Sequence, residues 1–350
     1  GIIGARVTYQ KIDGSNTTVQ RVLNDAAVAN AILPTNGQNP ISTADLLALP
    51  VGAGRNVFVD APYGKSWTQQ GWKIGGTYRI SDAAMAYGDV SQGFKAGSFA
   101  AGPAQSINGT FFSPVNPEFL TAYQAGIKST LLNKRLTINV SGFYYKYKDQ
   151  QLLKPGFDQA TASITTALVN AGRSHLSGFD LESQWAPGSG WNAGLAIGYL
   201  RTRIDEFKQA EACAPSGVGD CAANGIRTTD YAGNELMSAP KWTMNAILHK
   251  EFVLQNGMRL GLGGDITHKS SRYFTMPNNP LEADSAYTTL NLQASIKVRG
   301  AYGYRITFWG KNVTNRLFYL IKGSTAGNTG VQEVLISDPR TVGVTVSAAF

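Results

Sequence analysis

Long stretches of this chain alternate strictly between apolar and polar residues, and the stretches come in pairs. Leu290, Leu292, Ala294, Ile296 and Val298 fall on one side of one stretch, against Asn291, Gln293, Ser295, Lys297 and Arg299 on the other. Leu136, Ile138 and Val140 oppose Thr137, Asn139 and Ser141 in the same way, and Leu260, Leu262 and Ile266 oppose Arg259, Asp265, Thr267 and Lys269. Successive side chains of a strand point to opposite faces, so each stretch reads as a strand with one apolar and one polar face. Twelve strands are predicted, at about residues 3–12, 66–80, 83–96, 118–132, 135–153, 167–186, 191–207, 241–254, 258–274, 286–299, 302–320 and 339–350. Most exceed the ~5–6 residues usual in soluble strands and reach the ~9–11 that a tilted strand needs to cross a bilayer.

The connections sort by length. Short ones fall at Ser81–Asp82, Asn133–Lys134, Pro187–Gly190, Gln255–Gly257 and around Gly300. Between them lie long ones at about 13–65, 97–117, 154–166, 208–240, 275–285 and 321–338, rich in Gly, Pro, Asn, Ser and Ala. Within the first, "TADLLALP" (Thr43–Pro50) reads as a short helix. This is the layout of an antiparallel up-and-down transmembrane β-barrel, with short turns at one end and long outer loops at the other. The expected organisation is a single all-β barrel domain over 1–350, with 13–65 a long extracellular loop inside it.

Alternation alone also fits a soluble sandwich. Strand length, the near-absence of helical patterning and the aromatics at the ends of the apolar stripes favour the membrane. Phe119, Tyr123, Tyr144, Phe179, Trp185, Trp191, Tyr199, Trp242, Tyr287, Tyr302, Tyr304 and Phe350 are read as interface girdles. No apolar run approaches the ~18 residues of a membrane helix. Charged residues are only 15% of the chain, and the net charge of +8 comes from basic residues set singly, so a nucleic-acid footprint is not expected. Cys213 and Cys221 share one loop and read as a local disulfide in an oxidising compartment. Residue 1 is Gly with no leader pattern after it, so either a leader has been removed or the chain is a piece of something larger.

Enzyme chemistry finds no support. The three histidines, His175, His249 and His268, form no HExxH or comparable ligand spacing. Ser174 and His175 are neighbours in a strand and so face opposite ways. Gly clusters such as "GGTYRI" are not followed by helices, which removes a phosphate-loop reading. No cofactor or metal is expected. Asp89, Glu118, Asp180, Glu182, Glu251 and Asp265, with Lys95, Lys128, Arg259, Lys269, Lys297 and Arg305, all fall on the polar faces. A barrel interior is the place where such charges avoid lipid.

Several blocks resemble one family. "YGDVSQGFKAGSF" (Tyr87–Phe99), "NPEFLTAYQAGIKSTLLNKRLTINVSGFYYKYKDQQL" (Asn116–Leu152), "VNAGRSHLSGFDLESQW" (Val169–Trp185), "SAPKWTMN" (Ser238–Asn245) and "WGKNVTNRLFY" (Trp309–Tyr319) follow one another as in TonB-dependent outer-membrane receptors. The resemblance runs from about Tyr63 to Phe350, with Gly1–Asp13 as the preceding strand. It implies a barrel of about 22 strands with an N-terminal plug in the lumen. It also implies uptake of a scarce small-molecule solute, most commonly a ferric siderophore, energised through the TonB–ExbB–ExbD complex. The twelve strands with no plug or TonB box then correspond to the C-terminal part of such a receptor, a monomer in outer-membrane lipid. The closing strand "TVGVTVSAAF" ends on Phe350, which looks like the signal read by the outer-membrane assembly machinery. Solute-facing candidates, at the loop ends of the polar faces, are Lys95, Tyr145, Tyr147, Lys269, Tyr273 and Lys311, whose cationic and aromatic groups suit an anionic chelate. The alternatives are a passive pore formed by a smaller closed barrel, and a surface-binding protein without transport.

Overall fold

The computed structural model describes residues 2–14, 63–101, 112–158, 163–170, 172–212, 226–255, 257–298, 303–324 and 332–349. Among these, one twelve-stranded antiparallel sheet runs in chain order: β1 (Ile2–Gly14), β2 (Tyr63–Ser81), β3 (Ala84–Lys95), β4 (Glu118–Leu131), β5 (Leu136–Lys148), β6 (Arg173–Gly188), β7 (Trp191–Glu206), β8 (Trp242–Val253), β9 (Arg259–Lys269), β10 (Tyr287–Val298), β11 (Gly303–Lys311) and β12 (Thr341–Ala349). Strands β1 and β12 are its two edges, and no pairing joins them among the described residues. The helix expected at 43–50, the loop residues 15–62, Cys213, Cys221, Tyr302 and Phe350 lie outside the described residues.

Four strands are shorter than the alternation predicts, and local backbone gives the reason in two of them. β5 stops at Lys148 because Asp149 takes φ 55°, and β11 stops at Lys311 because Asn312 takes φ 48°. Both values lie in the left-handed region, which Asn and Asp tolerate best among non-glycine residues. At the other two, residues 163–170 and Arg272–Tyr273 belong to separate hairpins above β6 and β9. Among the described residues, five two-stranded hairpins stand on the long-connection end: Ser98–Ala101 with Phe112–Val115, Gln151–Asp158 with Ser163–Asn170, Lys208–Ala212 with Ile226–Asp230, Arg272–Tyr273 with Ala283–Asp284, and Tyr319–Ser324 with Gln332–Ile336. At the opposite end the turns are short. Ser189 and Gly190, at φ 50° and 79°, make the tight β6–β7 hairpin that needs two positive φ values.

The registers fix the two faces. Lys128, Asn139, Glu182, Ala196, Asn245, Thr267 and Thr289 stand opposite one another in one row across β4–β10 that is polar at every position but Ala196. On the other face Leu262, Ala294, Phe308 and Val344 form an apolar row across β9–β12. The apolar side chains are not covered: Ile74, Leu248, Phe308 and Val344 are 58%, 53%, 54% and 57% exposed. Burying one such side chain is worth ~1.5–3 kcal/mol, so a band of them left open to water would be a heavy cost, whereas facing lipid removes it.

Aromatics bracket the band on this face. Tyr123, Tyr144, Phe179, Tyr199 and Trp242 lie toward the loop end, and Trp185, Trp191 and Tyr304 toward the turn end. Tyr199 and Trp191 are eight residues apart on β7, which is ~27 Å along the strand and about 20 Å across a bilayer at the usual ~40° tilt. Tyr287 departs from the expected girdle. It sits opposite Lys269 on the polar face, buried, with its ring stacked on Phe318 at 4.0 Å.

On the polar face, large rings lie over glycines of the next strand: Tyr87 opposite Gly126, Phe143 opposite Gly178 and Trp309 opposite Gly343. Such cross-strand pairs cover the bare backbone of a strand glycine. A Cβ at Gly343 would come within 2.3 Å of the Trp309 ring, whose Nε1 donates to Thr345 Oγ1 at 3.1 Å. Gly343→Val is therefore expected to displace the indole and cost ~1–3 kcal/mol, read as a lowered thermal midpoint of the protein in detergent with altered tryptophan emission. An unshifted midpoint would refute the ring-on-glycine packing.

Candidate functional site

The loop end of the polar face is where a solute arriving from outside would first meet this wall. There the chain builds two banks of cationic and aromatic groups. One lies on β3–β5. Lys95 stands opposite Glu118 and Tyr147 opposite Leu120, while Tyr145 accepts a short hydrogen bond from the Gln124 side-chain amide. Above them a knot of amides ties the loops down. Buried Gln151 donates from Nε2 to the carbonyls of Ala96 and Asn116 at 2.8 and 2.9 Å, and its backbone N–H donates to Glu118 Oε2 at 2.7 Å. Asn170 accepts from the Asn116 N–H at 2.7 Å and donates to the Asp149 carbonyl at 2.8 Å. Lys65 Nζ reaches Asn116 Oδ1 at 3.1 Å.

The second bank lies on β9–β11. Lys269 opposes Tyr287, and Lys311 Nζ lies 5.6 Å over the Trp309 ring. Tyr273 sits just beyond β9, in the small hairpin, opposite Ala283, and its carbonyl accepts from the Ser238 N–H at 2.7 Å. Five of the six sequence-predicted residues thus share the polar face, and Tyr273 is in the crown above it. The structure does not bring all six together. Four inter-strand spacings separate β5 from β9, or ~19 Å along the wall.

Between and above the banks, the hairpins pack as one layer. Ile204, Phe207, Tyr231 and Met276 form a buried cluster, with Leu152, Val169, Leu236 and Met237 against it. Asn278 clamps the strap 231–241: it accepts from the Glu235 N–H at 2.7 Å and donates to the Glu235 carbonyl at 3.0 Å. Lys241 pairs with Glu235 at 2.6 Å, which holds its ammonium above the ordinary lysine value. That contribution is present throughout the neutral range and is lost only as the pH rises past the ordinary lysine value of 10.5.

Sequence reasoning missed the most deeply buried ion pair among the described residues, in which Arg272 Nε and Asp284 Oδ2 have no hydrogen-bond partner. Arg272 and Asp284 face each other at 3.9 Å with side chains only 12% and 5% exposed. The guanidinium donates to the Tyr319 carbonyl at 2.9 Å and lies 4.8 Å over the Phe274 ring. Burial pushes the Asp284 carboxyl above the ordinary carboxylate value, although the backbone N–H of Tyr319 and the Arg272 charge pull the other way. The only sequence signal was a basic residue beside an aromatic in "SSRYF", just after β9. No cluster of metal-ligating side chains occurs among the described residues.

An up-and-down antiparallel sheet with a lipid-facing apolar band, a polar inner face and a packed outer crown defines an outer-membrane β-barrel. The family model described as TonB dependent receptor-like, beta-barrel, matches residues 2–313, and the chain belongs to that family. Its members are transport receptors of the Gram-negative outer membrane, not enzymes.

Among solved structures, the ferric yersiniabactin uptake receptor FyuA from Yersinia pestis is 19% identical, with a TM-score of 0.64 over 86% of this chain and 40% of its own. The ferric-catecholate import receptor Fiu from K12 E. coli is 12% identical, with a TM-score of 0.58 over 99% of this chain and 41% of its own. The copper transporter OprC is also 12% identical, with a TM-score of 0.60 over 98% of this chain and 44% of its own. At these identities the likeness is one of fold. The chain spans about two fifths of the length of these structures.

Proposed function

We propose that this chain forms part of the wall and outer mouth of a receptor that takes up a scarce anionic solute, a ferric siderophore-type complex. In this reading the whole receptor is energised through TonB–ExbB–ExbD and works as a monomer. The carrying observation is the pair of cationic and aromatic banks at the loop end, Lys95 with Tyr145 and Tyr147, and Lys269 with Tyr273 and Lys311. Lysines draw in a negatively charged chelate, and tyrosine rings stack on its flat groups. Structural neighbours named as a ferric yersiniabactin uptake receptor, a ferric preacinetobactin receptor and a ferric citrate transporter support the solute class, while a neighbour named as a copper transporter has the same fold.

The test is uptake of radiolabelled iron, supplied as single ferric siderophores, by cells carrying the full-length receptor. Reversing both charges with Lys95→Glu and Lys269→Glu is expected to weaken uptake at least about tenfold, because like charges then face the chelate. Unchanged uptake on every source would overturn the assignment of those two lysines.

A further inference from the structure

Cations on the lipid-facing side of a barrel are expensive, and this chain gathers several in one place. Lys146, His175 and Arg203 stand opposite one another across β5–β7 on the apolar face. Tyr144, Ser177 and Arg201 form the next row toward the membrane. Tyr144, His175, Ser177, Arg201 and Arg203 line a cleft of about 560 Å³ that also includes Asp205, Ala232 and Gly233, and Lys146 stands at its rim with Nζ 5.5 Å over the Tyr144 ring. Asp205, the only acid in the cleft, pairs with His175 Nδ1 at 2.7 Å. Neither Arg201 nor Arg203 has a carboxylate partner among the described residues.

Both arginines project from the same face two residues apart, ~7 Å along the strand, so their charges repel unless an anion lies between them. The height of the cleft narrows the choice of anion. Phe179 stacks on Tyr199 at 5.8 Å and the Trp242 ring lies tilted against Tyr199 at 4.7 Å, just beneath Arg201 on the same face. Aromatics of this kind mark the level of the lipid headgroups. Below them Ile127, Val140, Leu181 and Ile197 continue the apolar row into the hydrocarbon. A lipid-facing arginine costs ~2–4 kcal/mol at the midplane and ~0–1 kcal/mol at the interface, so this level is where the cations are tolerated.

We propose that the cleft binds the phosphate group of an outer-leaflet glycolipid, with Arg201 and Arg203 forking onto the phosphate oxygens, Lys146 above them, and the acyl chains along the apolar row. Guanidinium matches phosphate with parallel charge-assisted hydrogen bonds. The site lies on the outside of the wall, so it stands independently of the solute proposed for the inside.

The test uses the full-length receptor in detergent. It is titrated separately with bis-phosphorylated lipid A, dephosphorylated lipid A and inorganic phosphate, and bound molecules are counted by native mass spectrometry. Phosphorylated lipid A is expected to bind at least about tenfold more tightly than the dephosphorylated form, as the loss of charge-assisted hydrogen bonds implies. The R201Q/R203Q pair should remove that preference, and the charge-retaining R201K/R203K pair should keep part of it. Equal binding of the two lipids by the unaltered receptor would overturn the proposal without any variant. So would inorganic phosphate displacing the lipid at equal concentration, which would mark a free-anion site.

Discussion

Replacing Arg272 with leucine should unlatch the outer crown. The substitution leaves Asp284 buried without its cation and frees the Tyr319 carbonyl from its donor. Removing one partner of a buried pair costs ~3–5 kcal/mol, against under ~1 kcal/mol for an exposed one. The loss should be local. Amide exchange at 272–284 and 319–324 should quicken while the twelve-stranded sheet keeps its protection, because crown and sheet use separate hydrogen-bond ladders.

The pH dependence has a fixed sign. Burial raises the Asp284 carboxyl, so the folded crown holds a proton more readily than the unfolded chain. Lowering the pH from neutral toward the ordinary carboxylate range therefore restores stability, most of all in Arg272→Leu, where the ionised carboxyl has lost its partner. Exchange in the variant matching the wild type at neutral pH would show that the pair latches nothing.

Leu292→Arg should cost about as much by an unrelated route. Leu292 lies midway along β10 on the apolar face, packed over Gly264 of β9, and is 49% exposed in the isolated sheet. An arginine there faces hydrocarbon near the midplane, which costs ~2–4 kcal/mol. Its neighbour Gln293 faces the interior, and Gln293→Arg should change stability by no more than ~0.5 kcal/mol, the usual range for an uncrowded polar site. Urea unfolding of the full receptor in lipid vesicles separates the two. Equal midpoints would mean that the faces have been assigned the wrong way round.

The sheet was legible because the bilayer imposes its own code. Lipid on one side and water on the other force alternation on every spanning strand, and all twelve were placed within a few residues at most ends. The crown carries no such code. Both faces of the hairpin Gln151–Asp158 with Ser163–Asn170 stand clear of lipid, and Pro155 within it reads as a strand breaker. Its residues were therefore divided between a loop and extensions of β5 and β6.

Tyr287 was misplaced because an aromatic at a strand end looks like a girdle residue. Its parity matches Asn291 and Gln293, and its partner Phe318 comes from 31 positions further along. The Arg272–Asp284 pair was invisible for a similar reason: only the closing of a small hairpin brings the two side chains together. Parity put five of the six candidate residues on the polar face and missed that Tyr273 belongs to a hairpin beyond it, and alternation carries no information about distance around the wall. That distance divides them into two banks.

The hairpin over β5 and β6 has a mechanical consequence. Its arms, Gln151–Asp158 and Ser163–Asn170, are already paired to each other, and its base is held by Gln151 and Asn170 beside Asp149 and Gly172. An unstructured loop folding over a captured solute would lose ~1–2 kcal/mol of backbone freedom per residue ordered. A pre-paired arm pivoting at its base loses that freedom at the few residues of the pivot. Any displacement of this hairpin is then the swing of one stiff lever, with an entropic cost that scales with the hinge and not with the length of the arm.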